Sequence, residues 1–292
     1  MTKVMLDCGA YSAWSLGDRI ELKDYIEYIR RNAQYLDCYI SLDAIPGSAY
    51  QRELSRERID QASEQSYRNQ QNMKEAGLHP IPVFHQDDDF QWLRRYCEDQ
   101  ENYIALAPFE GAHHCIGWLD DCFRVLADYP QVRVHAMGTT SPLIAHRYNW
   151  TSMDSGTWFR QAGAALIPVP LLKDGQLDYA LSPDIMSLGK YPRGLHIEDL
   201  DDYDLGRVNR WLAELGIELT QARTDYQIRQ RIWIAYFKNL GLSSSTRIVF
   251  VSVFGKLRQV LLQCGAEYHL LSYYQLRDVP DTKLQNYVTG YL

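Results

Sequence analysis

Short apolar runs alternate with longer stretches of mixed polarity along most of this chain. VMLD (4–7) predicts a strand, and LKDYIEYIRRNAQ (22–34) carries its apolar residues at helical spacing. CYISLDA (38–44) predicts a second strand, and the polar segment 57–77 a helix that ends at a glycine. PIPVFH (80–85), YIALAP (103–108), VRVHAMG (132–138) and TSMDS (151–155) predict four more strands. Between them, FQWLRRYCED (90–99), CIGWLDDCFRVLADY (115–129) and SPLIAHRY (141–148) predict helices. AALIPVP (164–170) reads as a strand or an edge hairpin, 198–240 as helical, and YHLLSYYQL (268–276) as a closing strand.

Strands alternating with helices imply parallel βαβ units. Six such units without a G-x-G-x-x-G loop favour a (β/α)8 TIM barrel over a dinucleotide-binding sheet. The expectation is an α/β chain forming one catalytic domain over residues 1–292. Residues 198–245 would be a helical insertion or extension in its C-terminal third.

Composition narrows the classes. The 292 residues are 46% apolar, enough for one large core or two smaller ones. No apolar run is long enough to suggest a membrane helix, and no basic and apolar leader precedes VMLD, so a cytoplasmic protein without membrane contact is expected. Six cysteines without C-x-x-C pairs fit a reducing compartment. The net charge of −7 argues weakly against a surface coated in nucleic acid. Arg223, Arg229, Arg231 and Lys238 stand close together in sequence, as a solvated helix face or a phosphate-binding one.

Barrel enzymes place reactive groups where strands end. Here those ends carry Asp7, Asp43, His85 with Gln86, Leu106-Ala107-Pro108, His135 with Met137 and Gly138, and Asp154. One aspartate there could be a helix cap. Three of six strands ending in a carboxylate suggest one shared chemistry. Two carboxylates suit glycosyl transfer, one attacking a sugar carbon while the other moves a proton. Gln86 and a third carboxylate would then read a purine edge. No H-x-H, H-E-x-x-H or paired-cysteine motif supports a metal, and no cofactor is expected. The bland readings stand alongside: Tyr11 in the core, Met137 filling the barrel, and His85 and His135 as orienting groups. Trp14, Trp158 and Trp233 would be packing residues, with Trp158 also able to wall a pocket. His113 and His114 are expected on a loop over the mouth.

In their order and types these strand ends resemble the tRNA-guanine transglycosylase superfamily, including its DNA-modifying phage and bacterial relatives. LDCGAYSAW is similar to the family's T-D-S-G-G-[YF]-Q loop, which implies Asp7 as general acid/base and Tyr11 as the aromatic stacked on the base. SLDAIPG implies Asp43, and PVFHQ implies Gln86, as guanine-reading groups with His85 beside them. IALAP implies base contacts from the backbone near Ala105 and Leu106. HAMGTTSP implies Met137, followed by Gly138, on the opposite face of the base, and SMDSGTW implies Asp154 as nucleophile. The resemblance covers roughly residues 3–160. Cys8 and Ala10 replace a serine and a glycine of the family, and its C-x-C-x-x-C zinc signature is absent. No zinc subdomain is therefore expected, and DNA is favoured over tRNA as substrate.

The implied reaction exchanges guanine in a nucleic acid for a free 7-deazaguanine through a covalent aspartyl-glycosyl intermediate. Residues 198–245 would supply a grip on the nucleic acid, and a partner protein is an open question. Three alternatives remain: base exchange or N-glycoside cleavage on free nucleotides, a non-catalytic base-binding or nucleic-acid-binding subunit, and a metal-dependent barrel hydrolase.

Overall fold

The computed structural model describes residues 2–47, 55–108, 114–190, 194–252 and 256–289. His113 falls outside them. The strands are β1 (Lys3–Asp7), β2 (Cys38–Tyr39), β3 (Val83–His85), β4 (Tyr103–Ala107), β5 (Arg133–Ala136), β6 (Ser152–Ser155), β7 (Leu166–Val169), β8 (Leu171–Lys173), β9 (Gln176–Asp178), β10 (Asp184–Ser187), β11 (Leu195–His196), β12 (Arg247–Val251) and β13 (Tyr268–Ser272). The helices are α1 (Ala10–Ser15), α2 (Leu22–Asn32), α3 (Arg56–Glu75), α4 (Phe90–Glu98), α5 (Ile116–Leu126), α6 (Pro142–Arg147), α7 (Thr157–Gly163), α8 (Asp202–Glu214), α9 (Leu219–Thr224), α10 (Tyr226–Ser244), α11 (Lys256–Gln263), α12 (Tyr273–Leu276) and α13 (Asp281–Thr289). No helix among the described residues is long and apolar enough to cross a membrane.

The chain divides into two compact units, one of Met1–Gly138, Trp150–Ser152 and Tyr268–Leu292, the other of Thr139–Asn149 and Met153–Glu267. In the first unit β13, β1 and β2 pair in parallel, as do β3, β4 and β5. A parallel bridge between Ile40 and Ile81 joins the two sets. Six parallel strands therefore run in the order β13-β1-β2-β3-β4-β5, and the α/β class expected from the alternation is observed. The strand interiors are covered on both faces, so they read as apolar runs: Val4, Leu6, Val83, Phe84, Ile104, Leu106 and Val134 are all buried.

The amphipathic helices pack as their periodicity requires. α2 buries Tyr25, Tyr28 and Ile29, and α4 buries Leu93, Tyr96 and Cys97. α3 is different. Its inward positions are Ser63, Ser66, Asn69, Gln70 and Met73, a mostly polar stripe at helical spacing.

In the second unit β7 pairs antiparallel with β10, which pairs parallel with β11. β8 and β9 form a hairpin whose turn holds Asp174 and Gly175 at positive φ. Helices α8 to α10 account for the helical expectation over 198–240. They bury Val208, Trp211, Leu212, Trp233, Tyr236 and Phe237 as a local core.

Three boundaries differ from the sequence expectation. The strand expected over 38–44 has two ladder residues and one further bridge at Ile40, and from Leu42 onward α3 side chains take over the backbone. Asn69 Nδ2 donates to Leu42 O at 2.9 Å and Ala44 N donates to Ser66 Oγ at 2.8 Å. RIVFV (247–251) forms β12, a neighbour of β6 that the pattern reading passed over. The segment 268–276 pairs parallel with β1 but stops at Ser272, where the chain turns into α12.

Candidate active site at the strand ends

β1 delivers Asp7 to its C-terminal end, in register with Ser272 of β13. The chain then has to turn at once into α1. Gly9 makes that turn at φ +83°, a left-handed conformation that glycine adopts freely. A Cβ there would stand 2.5 Å from the Tyr274 Cβ and 2.6 Å from Ser272 Oγ. The small residue after the carboxylate is thus required by backbone conformation and by close approach together.

Beside Asp7 a hydrogen-bonded chain crosses three strand ends. Cys8 Sγ donates to Asp43 Oδ1 at 3.0 Å. Asp43 Oδ2 lies 2.9 Å from His85 Nε2. His85 Nδ1 is 3.4 Å from Asp88 Oδ2, and the same oxygen accepts the His85 backbone N–H at 2.9 Å. Ser63 Oγ on α3 donates to Asp88 Oδ1 at 2.5 Å. The His85, Asp43 and Asp88 side chains are 6%, 8% and 8% exposed, so water screens these charges little.

The electrostatics follow from the order of groups. Burial alone would hold His85 neutral, but hydrogen bonds and charge from Asp43 and Asp88 outweigh it and raise the imidazole to about 10. Burial would likewise raise Asp43. The His85 bond and charge, aided by the Cys8 thiol, more than offset this and leave its carboxyl below the usual range. Cys8 is pushed well above an ordinary thiol by burial and then by the charges of Asp43 and Asp7. At neutral pH Cys8, Asp43 and His85 therefore read thiol, carboxylate, imidazolium. Tyr25 on α2, whose hydroxyl donates to Ile40 O at 2.7 Å, feels the same charges and is raised by burial and by them.

A cleft of about 670 Å³ opens beside this chain. Ala10, Trp14, Leu42, Asp43, Gln65 and Asn69 are among its lining residues. Its size suits a small heterocyclic ligand. Asp43, Gln65 and Asn69 stand together in this lining, with Gln65 Nε2 bonded to Asn69 Oδ1 at 2.8 Å. Trp14, expected as a packing residue, instead walls this cleft, its indole N–H donating to Gly47 O at 3.1 Å.

The remaining candidates fall in distinct environments. Tyr11 on α1 is 67% exposed, with its ring centroid 5.7 Å from that of Trp14, so it is no core aromatic. Gln86 is half-buried just past β3, its backbone N–H bonded to Ala107 O at 3.2 Å. Ala105 and Leu106 are fully buried within β4. Met137 is half-buried past the end of β5, its N–H bonded to Leu106 O at 3.0 Å, and exposed Gly138 turns the chain at φ +66°. Of the predicted site residues, Asp43 is the one that lines the cleft among the described residues. His135 is fully buried, its Nδ1 2.6 Å from Ser152 Oγ, which also meets Tyr103 OH at 2.6 Å.

Asp154 belongs to the second unit. It is 4% exposed in β6, just before the turn into α7. Trp158 follows on α7, fully buried, with its indole N–H bonded to Val251 O at 3.0 Å, and Trp233 bonds Leu166 O at 2.9 Å. Both are packing residues. Among the described residues, no group of three or more His, Cys, Asp or Glu side chains is arranged to hold a metal ion.

Of the basic cluster on 223–238, Arg223, Arg231 and Lys238 are exposed, as a solvated face requires, and Arg229 departs from it. Arg229 turns inward, donating from Nε to Ala162 O and from Nη1 to Ala222 O, both at 2.8 Å. Arg223 pairs with Glu198 at 3.1 Å, and Lys238 Nζ donates to Cys264 O at 2.7 Å. Sequence reasoning also passed over Asp88, Ser63, Ser66 and Asn69. For the three on α3 the signal was present in its polar stripe, since a helix that buries polar positions must satisfy them on that side.

No family model matches this chain, and no curated protein matches it. Among solved structures, it is similar to HPPK-DHPS of Plasmodium falciparum, crystallised with pterin and p-hydroxybenzoate. The identity is 10% and the TM-score 0.37, over 99% of this chain and 48% of that one. The chain therefore spans about half the length of that protein, and a likeness this distant carries no argument about activity.

Proposed function

We propose that this protein is a pentosyltransferase that exchanges guanine for a 7-deazaguanine base, built on a (β/α)8 barrel. The observation that carries the reading is the buried hydrogen-bonded pair, Cys8 and His85, that holds the Asp43 carboxyl where it lines the cleft. A buried carboxylate held ionised between a thiol and an imidazolium is a preorganised acceptor. It suits the ring N–H and exocyclic amine along one edge of guanine. The chain-order run of six parallel strands supports the barrel.

In the proposed reaction the Asp154 carboxylate attacks C1′ of the nucleotide. The glycosidic C–N bond breaks, and the electron pair leaves with the base as Asp7 protonates it. A glycosyl ester of Asp154 results. Asp7, now a carboxylate, takes a proton from the incoming 7-deazaguanine, whose nitrogen attacks C1′ and releases Asp154. Two displacements give net retention. Tyr11 and Met137 flank the base, while Gln86 and the backbone at Ala105, Leu106 and Gly138 complete its recognition. His85 acts by holding Asp43. A nucleic-acid substrate, DNA before tRNA, would have to present its target base unstacked.

A second reading is base exchange on free nucleosides. The inward use of Arg229 favours it, because that cation is held by backbone carbonyls and is poorly placed to grip a phosphate.

The deciding experiment offers labelled guanine with single-stranded DNA, duplex DNA, tRNA and free deoxyguanosine in separate reactions. Label entering one polymer, and lost in Asp154→Asn, supports the first reading and identifies its substrate. Label entering only the nucleoside moves the assignment to the second. No exchange anywhere, with no binding of guanine, overturns both.

A further inference from the structure

Asp43 is held by side chains from several elements, and the outermost of them, Asp88 and Ser63, are not among the residues that line the cleft. A carboxylate offers about four acceptor positions. Cys8 takes one on Oδ1 and His85 takes one on Oδ2, so the direction of what remains is set by those two donors. Cys8 is fixed by the turn at Gly9. His85 is fixed by Asp88, whose one oxygen holds both the imidazole and the His85 backbone N–H. Asp88 is in turn fixed from α3 by Ser63, whose neighbours Ser66 and Asn69 anchor the backbone on either side of Asp43. Two arms from one helix thus converge on a single carboxylate.

We infer that Asp88 is a positioning residue for base recognition: through His85 it orients Asp43 and fixes which donor edge the cleft accepts. This inference rests on the reading of Asp43 as the group that meets the base. It names a residue outside the motifs that suggested that reading, and it explains why α3 buries polar residues at helical spacing. The imidazolium is the joint of the device. It is faced by Asp43 from the β2–α3 loop and by Asp88 from the β3–α4 loop. Cys8 and Asp7 on β1, Tyr25 on α2 and Tyr96 on α4 surround the same charges. With Asp88 gone, His85 keeps one carboxylate partner and its proton is held less tightly.

The test follows the His85 imidazole nitrogens and the Asp43 carboxyl by NMR titration of the full chain, and measures binding of free guanine by calorimetry. Wild type, Asp88→Asn, Asp88→Glu and Ser63→Ala are compared. In the wild type both His85 nitrogens stay protonated and guanine affinity is flat between about pH 6 and pH 8. Asp88→Asn weakens guanine roughly tenfold, lowers the His85 midpoint, and makes affinity fall as pH rises through it. Asp88→Glu restores part of the affinity and the flat profile. Ser63→Ala, which leaves the carboxylate in place, moves both readouts in the same direction by less. An unchanged His85 titration in Asp88→Asn overturns the inference, as does a uniform loss of affinity with no pH slope. If Asp88→Asn fails to fold, Ser63→Ala decides on the same readouts. If the wild type does not bind guanine, base exchange is overturned instead, and the His85 and Asp43 titrations alone decide whether Asp88 positions Asp43.

Discussion

Two buried cations in this protein are stabilised in opposite ways. His85 in the first unit sits between two carboxylates at the ends of strands and is driven to hold its proton. Arg229 in the second unit sits among backbone carbonyls at the ends of α7 and α9, and burial lowers its affinity for the proton. Both solve the desolvation of a charge, but with different consequences. The carbonyls that Arg229 holds are groups a helix end must satisfy in any case, so the arginine fastens helices together. The carboxylates that His85 holds include Asp43, which lines a cleft, so the histidine sets the charge and direction of a group beside a cavity. A buried charge facing carbonyls points to architecture, and one facing carboxylates beside a cavity points to chemistry.

The sharpest way to break this contrast is at the carboxylates assigned to the reaction. Asp154→Asn abolishes labelled-guanine exchange, and Asp7→Asn lowers its kcat by about 10²- to 10⁴-fold, with thermal unfolding midpoints close to wild type. Exchange that survives in Asp154→Asn removes that residue as nucleophile.

The next effect is on stability, and its pH dependence carries the sign. The folded His85 value, about 10, lies above that of an unfolded histidine. Its contribution is therefore complete below the unfolded value and is lost as pH rises through about 10. Urea unfolding should show wild type more stable than His85→Gln by about 3 to 5 kcal/mol near neutral pH, with the gap closing in alkaline solution. A gap that is constant with pH means the imidazole is neutral in the fold.

Arg229→Met tests the other cation. Leaving the Ala162, Ala222 and Arg223 carbonyls without their donor costs about 2 to 3 kcal/mol of unfolding free energy. Guanine exchange per folded molecule stays unchanged. Loss of exchange at full stability would place Arg229 with His85 and erase the contrast.

Tyr11→Ala gives the smallest stability effect, within about 0.5 kcal/mol, because the ring is mostly exposed. A raised KM for the base with little change in unfolding is the expected signature of a stacking ring. An unchanged KM leaves Tyr11 a surface residue.

The sequence made some of these features legible and hid others for physical reasons. Strand interiors were clear because both faces are covered, which forces runs such as YIALA. The carboxylate after VMLD was visible because a strand end is short and local. The extent of β2 was not. SLDA has strand composition, but the backbone from Leu42 to Ala44 is held by Asn69 and Ser66, about one helix away in sequence. β12 was missed because RIVFV follows a long helix without the alternation seen earlier. The basic residues of α10 were read by charge alone, and charge says nothing about which carbonyls lie within reach of Arg229.

What the sequence determined by itself was the class of fold and the residue types at the strand ends, because hydrophobic period and turn-forming glycine act over a few residues. Only the tertiary structure decided what those residues are. It made Asp43 an anion, His85 a cation and Cys8 a thiol, since protonation depends on burial and on charges brought together across 35 and 42 positions of chain. It also turned the polar stripe of α3 into a support for the site, because a buried hydroxyl or amide acquires its role from the partner it meets, and those partners lie in the segments after β2 and β3.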